Sequence, residues 1–437
     1  MKTPIFDFIK SYSEGKSARF HMPGHKGVGA LGCEKYDITE ILGADVLYSA
    51  DGIIAESEDN LTSLYGTAHS FYSTEGSTLC IKAMLRLAGE RAGEERPLIL
   101  AARNVHASFV RAAALLDLDV EWIYPEREGH LCECNITADD VRRAISGAEK
   151  TPCAVYLTSP DYLGNMLDIR GISTVCRECD IPLLVDNAHG AYLRFLPEDS
   201  HPITLGAAMC SDSAHKTLPA LTGGAYLHLS KDYLEYSGRA REALSLFAST
   251  SPSYLTLASL DLCNKRLNED YPEKIAALAA KSREIKAKIT SLGFEVCDTE
   301  PLKIVIRSGD SLASGLRERE IEVEFSDRDY TVLMLTPENT DADFDRLIEA
   351  LSSTKATQRS EECIPSPKPH VAEMTIRQAV FAQNERISVE NALDRICAAP
   401  TVSCPPAVPI VISGERITEE DITLFRHYGI TTVSVVK

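Results

Sequence analysis

From Phe71 to Leu229, short apolar runs alternate with stretches in which apolar residues recur at helical spacing. Pro97–Ala101, Val120–Tyr124, Cys153–Thr158 and Pro182–Asp186 are β-rich apolar runs, while Ala107–Leu116 and Gly171–Cys179 have the period of helices. Strands that are apolar throughout and joined by helices need crossover connections. The pattern therefore predicts a mostly parallel sheet covered on both faces. In such sheets ligands sit beyond the carboxyl ends of the strands, so the residues just after each run are where chemistry is expected.

The texture changes after Leu229. Lys231–Leu292 is largely helical, and the Lys and Glu residues of its Pro272–Ile289 stretch read as a solvated face. Leu302–Arg307, Glu320–Phe325 and Thr331–Leu335 are expected strands and Ala342–Leu351 an expected helix, together a smaller α+β unit. Ser360–Pro369, with Pro365, Pro367 and Pro369 among charges, reads as a linker. A helical pattern from Thr375 and then short β-rich runs follow. The expected division is an N-terminal segment at 1–60, a large sheet domain at 61–245, a small α+β domain at 246–358, a linker at 359–372 and a C-terminal α+β domain at 373–437.

Composition narrows the function. The 437 residues carry 45 Lys and Arg against 64 Asp and Glu, a formal net charge of -19. That balance disfavours nucleic acid or an anionic membrane as partner and suits a small cationic substrate. No run is long and apolar enough for a spanning helix, and the start, MKTPIFDFIKSYSEGK, has no apolar core of a secretory signal. The expected location is the cytoplasm. The 13 cysteines are odd in number and scattered, which suits reduced thiols better than a disulfide framework. Cys176 and Cys179 form a C-x-x-C without a second pair, and Cys132 and Cys134 stand two apart, so no metal site is expected. Gly27 and Gly29 lack the preceding strand that a nucleotide loop needs, and the single Trp122 is expected in the core.

One strand end and a later motif carry chemistry. The run at 182–186 ends in Asp186-Asn187-Ala188-His189-Gly190, which points an acid into the sheet crevice. Further on stands Ser211-Asp212-Ser213-Ala214-His215-Lys216-Thr217, before the turn Thr222-Gly223-Gly224. Lys216 alone is most simply a surface charge. Beside Asp186 it suits pyridoxal phosphate, whose aldehyde forms a Schiff base with a lysine and whose ring nitrogen is kept protonated by an aspartate. A phosphate cradle is available where Ser73-Thr74-Glu75-Gly76-Ser77-Thr78 opens a helix, although an N-cap alone explains that motif equally well. His106, after the run at 97–101, is placed to stack on a ring.

In this order the pieces resemble the fold-type-I pyridoxal-phosphate enzymes, and more narrowly the bacterial ornithine/lysine/arginine decarboxylases. The resemblance spans nearly the whole chain. It is carried by Phe20-His21-Met22-Pro23-Gly24-His25-Lys26-Gly27, Arg103–Ser108, Asp186–Gly190, Ser213–Lys216, Thr250-Ser251-Pro252-Ser253-Tyr254 and the final segment with Gly414-Glu415-Arg416-Ile417-Thr418. It implies a large domain of the pyridoxal-phosphate transferase type and decarboxylation of arginine, lysine or ornithine. It also implies Lys216 as the Schiff-base lysine and Asp186 as the partner of the ring nitrogen. His106 would cover one ring face and Ala188 the other. Gly76, Ser77, Thr78, Ser213 and His215 would hold the phosphate, and His189 or Lys216 would return a proton to the α-carbon. Thr250 and Ser251 would reach a neighbouring subunit's cofactor, which makes a homodimer the smallest expected assembly.

The chain departs from that family at several positions. Asn187 stands where Glu is usual, Tyr192 where His is common, and Thr222-Gly223-Gly224 where a Gln is expected. Ser403-Cys404-Pro405-Pro406-Ala407 replaces a Tyr-Pro-Pro-Gly stretch, and the wing domain of some members is not represented. With Glu lost at 187, Glu324 and Asp327 remain as acidic partners for a cationic substrate tail. An aminotransferase or lyase, with Arg307 or Arg377 as carboxylate clamp, is the second reading. A non-catalytic binding protein of the same fold is the third.

Overall fold

The computed structural model describes residues 1–126, 129–308, 310–356, 367–399 and 406–437. These fall into two compact units, one of Met1–Ala88 with Pro182–Ala276 and the other of Gly89–Ile181 with Ala277–Lys437. Seven strands make the mostly parallel sheet: β1 (His69–Ser73), β2 (Leu98–Ala102), β3 (Asp119–Ile123), β4 (Ala154–Thr158), β5 (Leu183–Asp186), β6 (Met209–Asp212) and β7 (Ala225–Leu229).

In the first unit the strand order is β1-β7-β6-β5. β5 and β6 run parallel, with Asp186 opposite Ser211, while β7 is antiparallel to both β6 and β1. Every residue of β5, β6 and β7 is buried, which is why the β5 segment reads as a continuous apolar run. Asp186 and Asp212, both buried acids, are the last residues of β5 and β6.

In the second unit β4, β2 and β3 are parallel, with β3 at the edge. Trp122 lies on this edge strand, half-buried under the Arg103 guanidinium at 5.5 Å, and not in the core as expected. An antiparallel sheet follows in the order β8 (Lys303–Arg307), β10 (Tyr330–Met334), β9 (Phe325–Ser326). β11 (Asn384–Ser388) and β12 (Thr432–Val436) form an antiparallel pair. Val305, Val332, Val411, Phe425 and Val435 share one apolar core here.

The expected strand Glu320–Phe325 shrinks to Phe325–Ser326. Its alternation of Glu with apolar residues imitates a half-buried strand, but only the last residues find a partner row, Phe325 opposite Val332 and Ser326 opposite Thr331. The expected helix at 375 begins with a capping box in which Thr375 and Gln378 satisfy each other's backbone N–H. Most of the expected linker, and Cys404, lie outside the described residues. Cys176 is buried and Cys179 exposed, and among the described residues neither belongs to a group placed to share an ion.

Candidate active site

The first unit brings the acid, the lysine and the phosphate-type cradle into one compact body. β1 runs into a turn and then the helix Gly76–Ala92, whose first-turn N–H groups have no partner within the helix and carry its positive dipole end. Gly76, at φ +71, donates its N–H to the Gly223 carbonyl at 2.8 Å. Gly223 is itself at φ +94, and a Cβ there would press on the Thr74 carbonyl at 2.7 Å, so this close approach of two turns demands glycine. Ser213 donates its hydroxyl to Ser77 Oγ at 2.9 Å, which joins the lysine loop to the helix start. Thr78 stands in the same first turn. His215 is bonded through Nδ1 to the Gly224 carbonyl at 2.9 Å, and burial lowers its pKa.

The other end of the site is built at the strand termini. Asp186 is buried, and its Oδ1 accepts the Ala188 N–H at 3.2 Å. Ala188 and His189 follow, both buried, and His189 Nε2 lies 3.0 Å from Lys216 Nζ. Lys216 itself sits half-buried in the single turn Ala214–Thr217. A buried carboxylate, an amine in contact with an imidazole, and a hydroxyl-lined helix start are thus supplied by three segments of the first unit.

His106 belongs to the second unit, where it caps the helix Ala107–Leu116 just after β2 and its Nδ1 accepts the Ser108 N–H at 3.1 Å. Thr250 and Ser251 lie in an exposed loop of the first unit, whose Ser249 N–H is donated to Glu75 Oε1 at 2.7 Å. That bond sets the loop beside the Gly76 turn of its own chain. Tyr192 is fully buried in a short 3-10 helix. In the second unit, Asp327 is engaged by His130 Nε2 at 2.7 Å and by the Asp329 and Tyr330 N–H groups, whereas Glu324 is exposed and accepts the Tyr162 hydroxyl at 2.7 Å. Arg307 pairs with Glu295, and Arg377 donates to the Ala114 and Leu115 carbonyls.

Sequence reasoning passed over Asp212. It is fully buried beneath the site and takes the Asn187 Nδ2–H at 2.7 Å, the His201 Nε2–H at 3.0 Å and the Cys210 thiol at 3.2 Å. An acid closing an apolar strand was the available signal, but its histidine partners are far from it in sequence.

The fold defines an α/β enzyme of the fold-type-I pyridoxal-phosphate class. Family models for "Orn/Lys/Arg decarboxylase, major domain" and "Orn/Lys/Arg decarboxylase, C-terminal domain" match residues 3–306 and 354–431. The chain belongs to this family of pyridoxal-phosphate-dependent amino-acid decarboxylases. It is 30% identical to an arginine decarboxylase of Bacillus subtilis, over 97% of this chain and 92% of that one. Against an arginine decarboxylase of Halalkalibacterium halodurans the identity is 28%, over 97% and 93%. The crystal structure of a Francisella novicida lysine decarboxylase superposes with a TM-score of 0.82 at 18% identity, over 100% of this chain and 81% of that one.

The donor set fits the cofactor. A Cβ at Gly76 would meet nothing within 4 Å, so the helix start has open space in which a phosphate would fit. The buried acid, the Lys216 amine and the small Ala188 match the needs of the ring nitrogen, the aldehyde and a flat ring face.

Proposed function

We propose that the chain decarboxylates arginine in the cytoplasm, as a homodimer or larger homo-oligomer with shared active sites. The observation that carries the chemistry is Lys216 Nζ at 3.0 Å from His189 Nε2, on the loop that begins at the buried Asp186. When bound, pyridoxal phosphate supplies the electron sink for cleavage at the α-carbon. Lys216 anchors it, Asp186 keeps the ring nitrogen protonated, and Gly76, Ser77, Thr78, Ser213 and His215 hold the phosphate. Ala188 would offer a small, flat face to the ring, and the family resemblance assigns His106 to the other face. Lys216 and His189, in contact, hand a proton back to the α-carbon.

Arginine is favoured because the similar full-length relatives from Bacillus subtilis and Halalkalibacterium halodurans are named for it. An exposed acid such as Glu324 suits a guanidinium tail, since a planar fork and a carboxylate pair in two places. The clamp that an aminotransferase requires is less well served, with Arg307 and Arg377 engaged elsewhere. An oligomer suits the N-terminal segment, where Phe20, Val28, Leu31 and Leu42 are 95%, 79%, 86% and 101% exposed, apolar side chains that a second copy would cover. Thr250 and Ser251 would serve a neighbour's cofactor there.

The test is mass spectrometry of the products after cofactor-loaded protein is incubated with arginine, lysine and ornithine. The amine lighter than arginine by carbon dioxide is expected. Its absence, with an amine formed from lysine or ornithine, would reassign the substrate.

A further inference from the structure

Asp212 is a carboxylate with no contact to solvent, and three donors converge on its oxygens. Oδ1 accepts Asn187 Nδ2–H at 2.7 Å and the Cys210 thiol at 3.2 Å, while Oδ2 accepts His201 Nε2–H at 3.0 Å. The Ile203 N–H points at His201 Nδ1 at 3.3 Å, which leaves the ring proton on Nε2, aimed at Asp212. His228, on β7, stands with Nε2 3.3 Å from Oδ2 and is held on its other side by Ser70 Oγ at 2.7 Å, itself bonded to Thr67. Asp212, His201, His228, Ser70 and Asn187 are all 0% exposed. Burial alone would raise the acid's pKa, but His201 and His228 more than offset it and hold the group ionised.

The position of this carboxylate matters more than its charge. Asn187 directly follows Asp186, and Asp212 directly precedes Ser213-Ala214-His215-Lys216. The Asn187–Asp212 bond therefore clamps the loop bearing the acid and His189 to the loop bearing the lysine. Asn187 N–H also donates to the Ser211 carbonyl at 2.9 Å, so the clamp has a main-chain and a side-chain strand.

We propose that Asp212 is a positioning residue for the decarboxylation, holding Lys216 and His189 in register with Asp186 through Asn187, with His201 and His228 fixing the carboxylate from behind. This rests on the cofactor assignment above, not on arginine as substrate. The carboxylate that family members usually carry at position 187 is in this chain supplied from the next strand.

The holoenzyme tests it. Asp212→Asn keeps the shape but replaces an oxygen that accepts with an amide that donates. It is expected to lower kcat about 10- to 100-fold with KM little changed, since a slight misplacement at the reacting groups costs that much and no substrate touches Asp212. It should also move the pH midpoint of the bound cofactor's visible absorption, a reading that needs no substrate and so stands whichever amino acid is used. Asn187→Ser, which leaves Asp212 with its histidines, should shift that midpoint likewise. The exchanged pair Asn187→Asp with Asp212→Asn restores an acid–amide bond between the loops, with the new amide oxygen turned to His201, and should recover most of the kcat. Wild-type kcat and midpoint in folded Asp212→Asn or Asn187→Ser would overturn the proposal. So would an exchanged pair no better than Asp212→Asn alone. Stoichiometric zinc in the purified protein, found by elemental analysis and lost with Asp212→Asn, would instead make His201, Cys210 and Asp212 a metal site.

Discussion

Asn187 and Ala407 both depart from the family pattern, and the structure treats the two departures differently. At Asn187, in the first unit, the lost carboxylate returns from the neighbouring strand as Asp212, and the amide bonds to it at 2.7 Å. At Ala407, in the second unit, a residue stands where glycine is usual, yet the backbone keeps a left-handed φ of +58. Its carbonyl still accepts the Ala107 N–H at 2.8 Å, at the start of the helix that His106 caps. A side chain can be supplied by any neighbour whose atoms reach the same place. A backbone angle can be supplied only by the residue itself.

The largest expected effect lies where neither kind of substitution is available. The Lys216 amine has no neighbour able to replace it, and Lys216→Ala should abolish turnover while the protein remains folded, as read by product formation and circular dichroism. Asp186→Asn should lower kcat by about three or more powers of ten, because an unprotonated ring is a poor electron sink. Asp186→Asn with near-normal turnover would mean that Asp212 or another acid serves the ring nitrogen, and the distinction between the two strand ends would fail.

Next in size is the stability that Asp212 provides. Asp212→Ala leaves the Asn187 amide and the His201 Nε2–H facing an empty buried space, and should cost about 3–5 kcal/mol in denaturant unfolding. The folded pKa of Asp212 lies below its unfolded value, so its contribution is complete above about pH 4 and is lost as the pH falls further. Asp212→Asn should therefore flatten the acid flank of the wild-type stability profile.

Asp161, in the second unit, sharpens the contrast with the opposite sign. It is also buried, but among the described residues its carboxylate takes only the Asn165 N–H at 2.9 Å and side-chain amide at 2.8 Å, while the Lys303 ammonium donates to its main-chain carbonyl at 3.1 Å. Burial, only partly offset by Asn165 and Lys303, pushes it up to about 6 from an ordinary 3.8. The folded state then prefers the protonated form, so its stabilising contribution is greatest at low pH and is lost between about pH 4 and pH 6. Over that window wild-type should lose on the order of 3 kcal/mol that Asp161→Asn does not lose. Urea titrations at pH 4, 5, 6 and 7 give the answer, and parallel curves for the two proteins would show that Asp161 stays ionised. Asp261, raised to about 6 chiefly by burial, titrates in the same window and remains in both.

The legible part of this molecule is the part governed by local pattern. β2, β4 and β5 fall within a residue or two of the apolar runs, and the helix Ala107–Leu116 matches its periodicity. Asp186 was visible because it closes an apolar run, where a charge needs a reason, and Lys216 because it stands between small hydroxyl residues and a Gly-rich turn and pairs chemically with Asp186. The Asp212 network was not, since His201, His228 and Ser70 reach it from three other segments and only the sheet order β1-β7-β6-β5 brings them together. The strand at 320–325 failed for the converse reason. Its pattern was right and its partner row was missing.

Ala407 offers the smallest effect and the cleanest reading. A left-handed conformation costs an L-residue about 1–2 kcal/mol, and glycine escapes that cost. Against this, glycine has more unfolded-state freedom to lose, by about 0.5–1 kcal/mol, and Ala407→Gly also gives up one buried methyl. With the methyl worth about 0.8 kcal/mol, these terms nearly cancel, and the glycine variant should lie within about 0.5 kcal/mol of the wild type, a shift below about 1 °C in Tm. Ala407→Val separates strain from packing, because a branched side chain is a genuine outlier at positive φ, and it should fall well below both. Glycine level with alanine and valine well below them would establish that the backbone at 407 holds its left-handed angle under strain. If valine were tolerated as well as alanine, the segment must relax out of the left-handed region, and the second unit would have compensated its departure just as the first has.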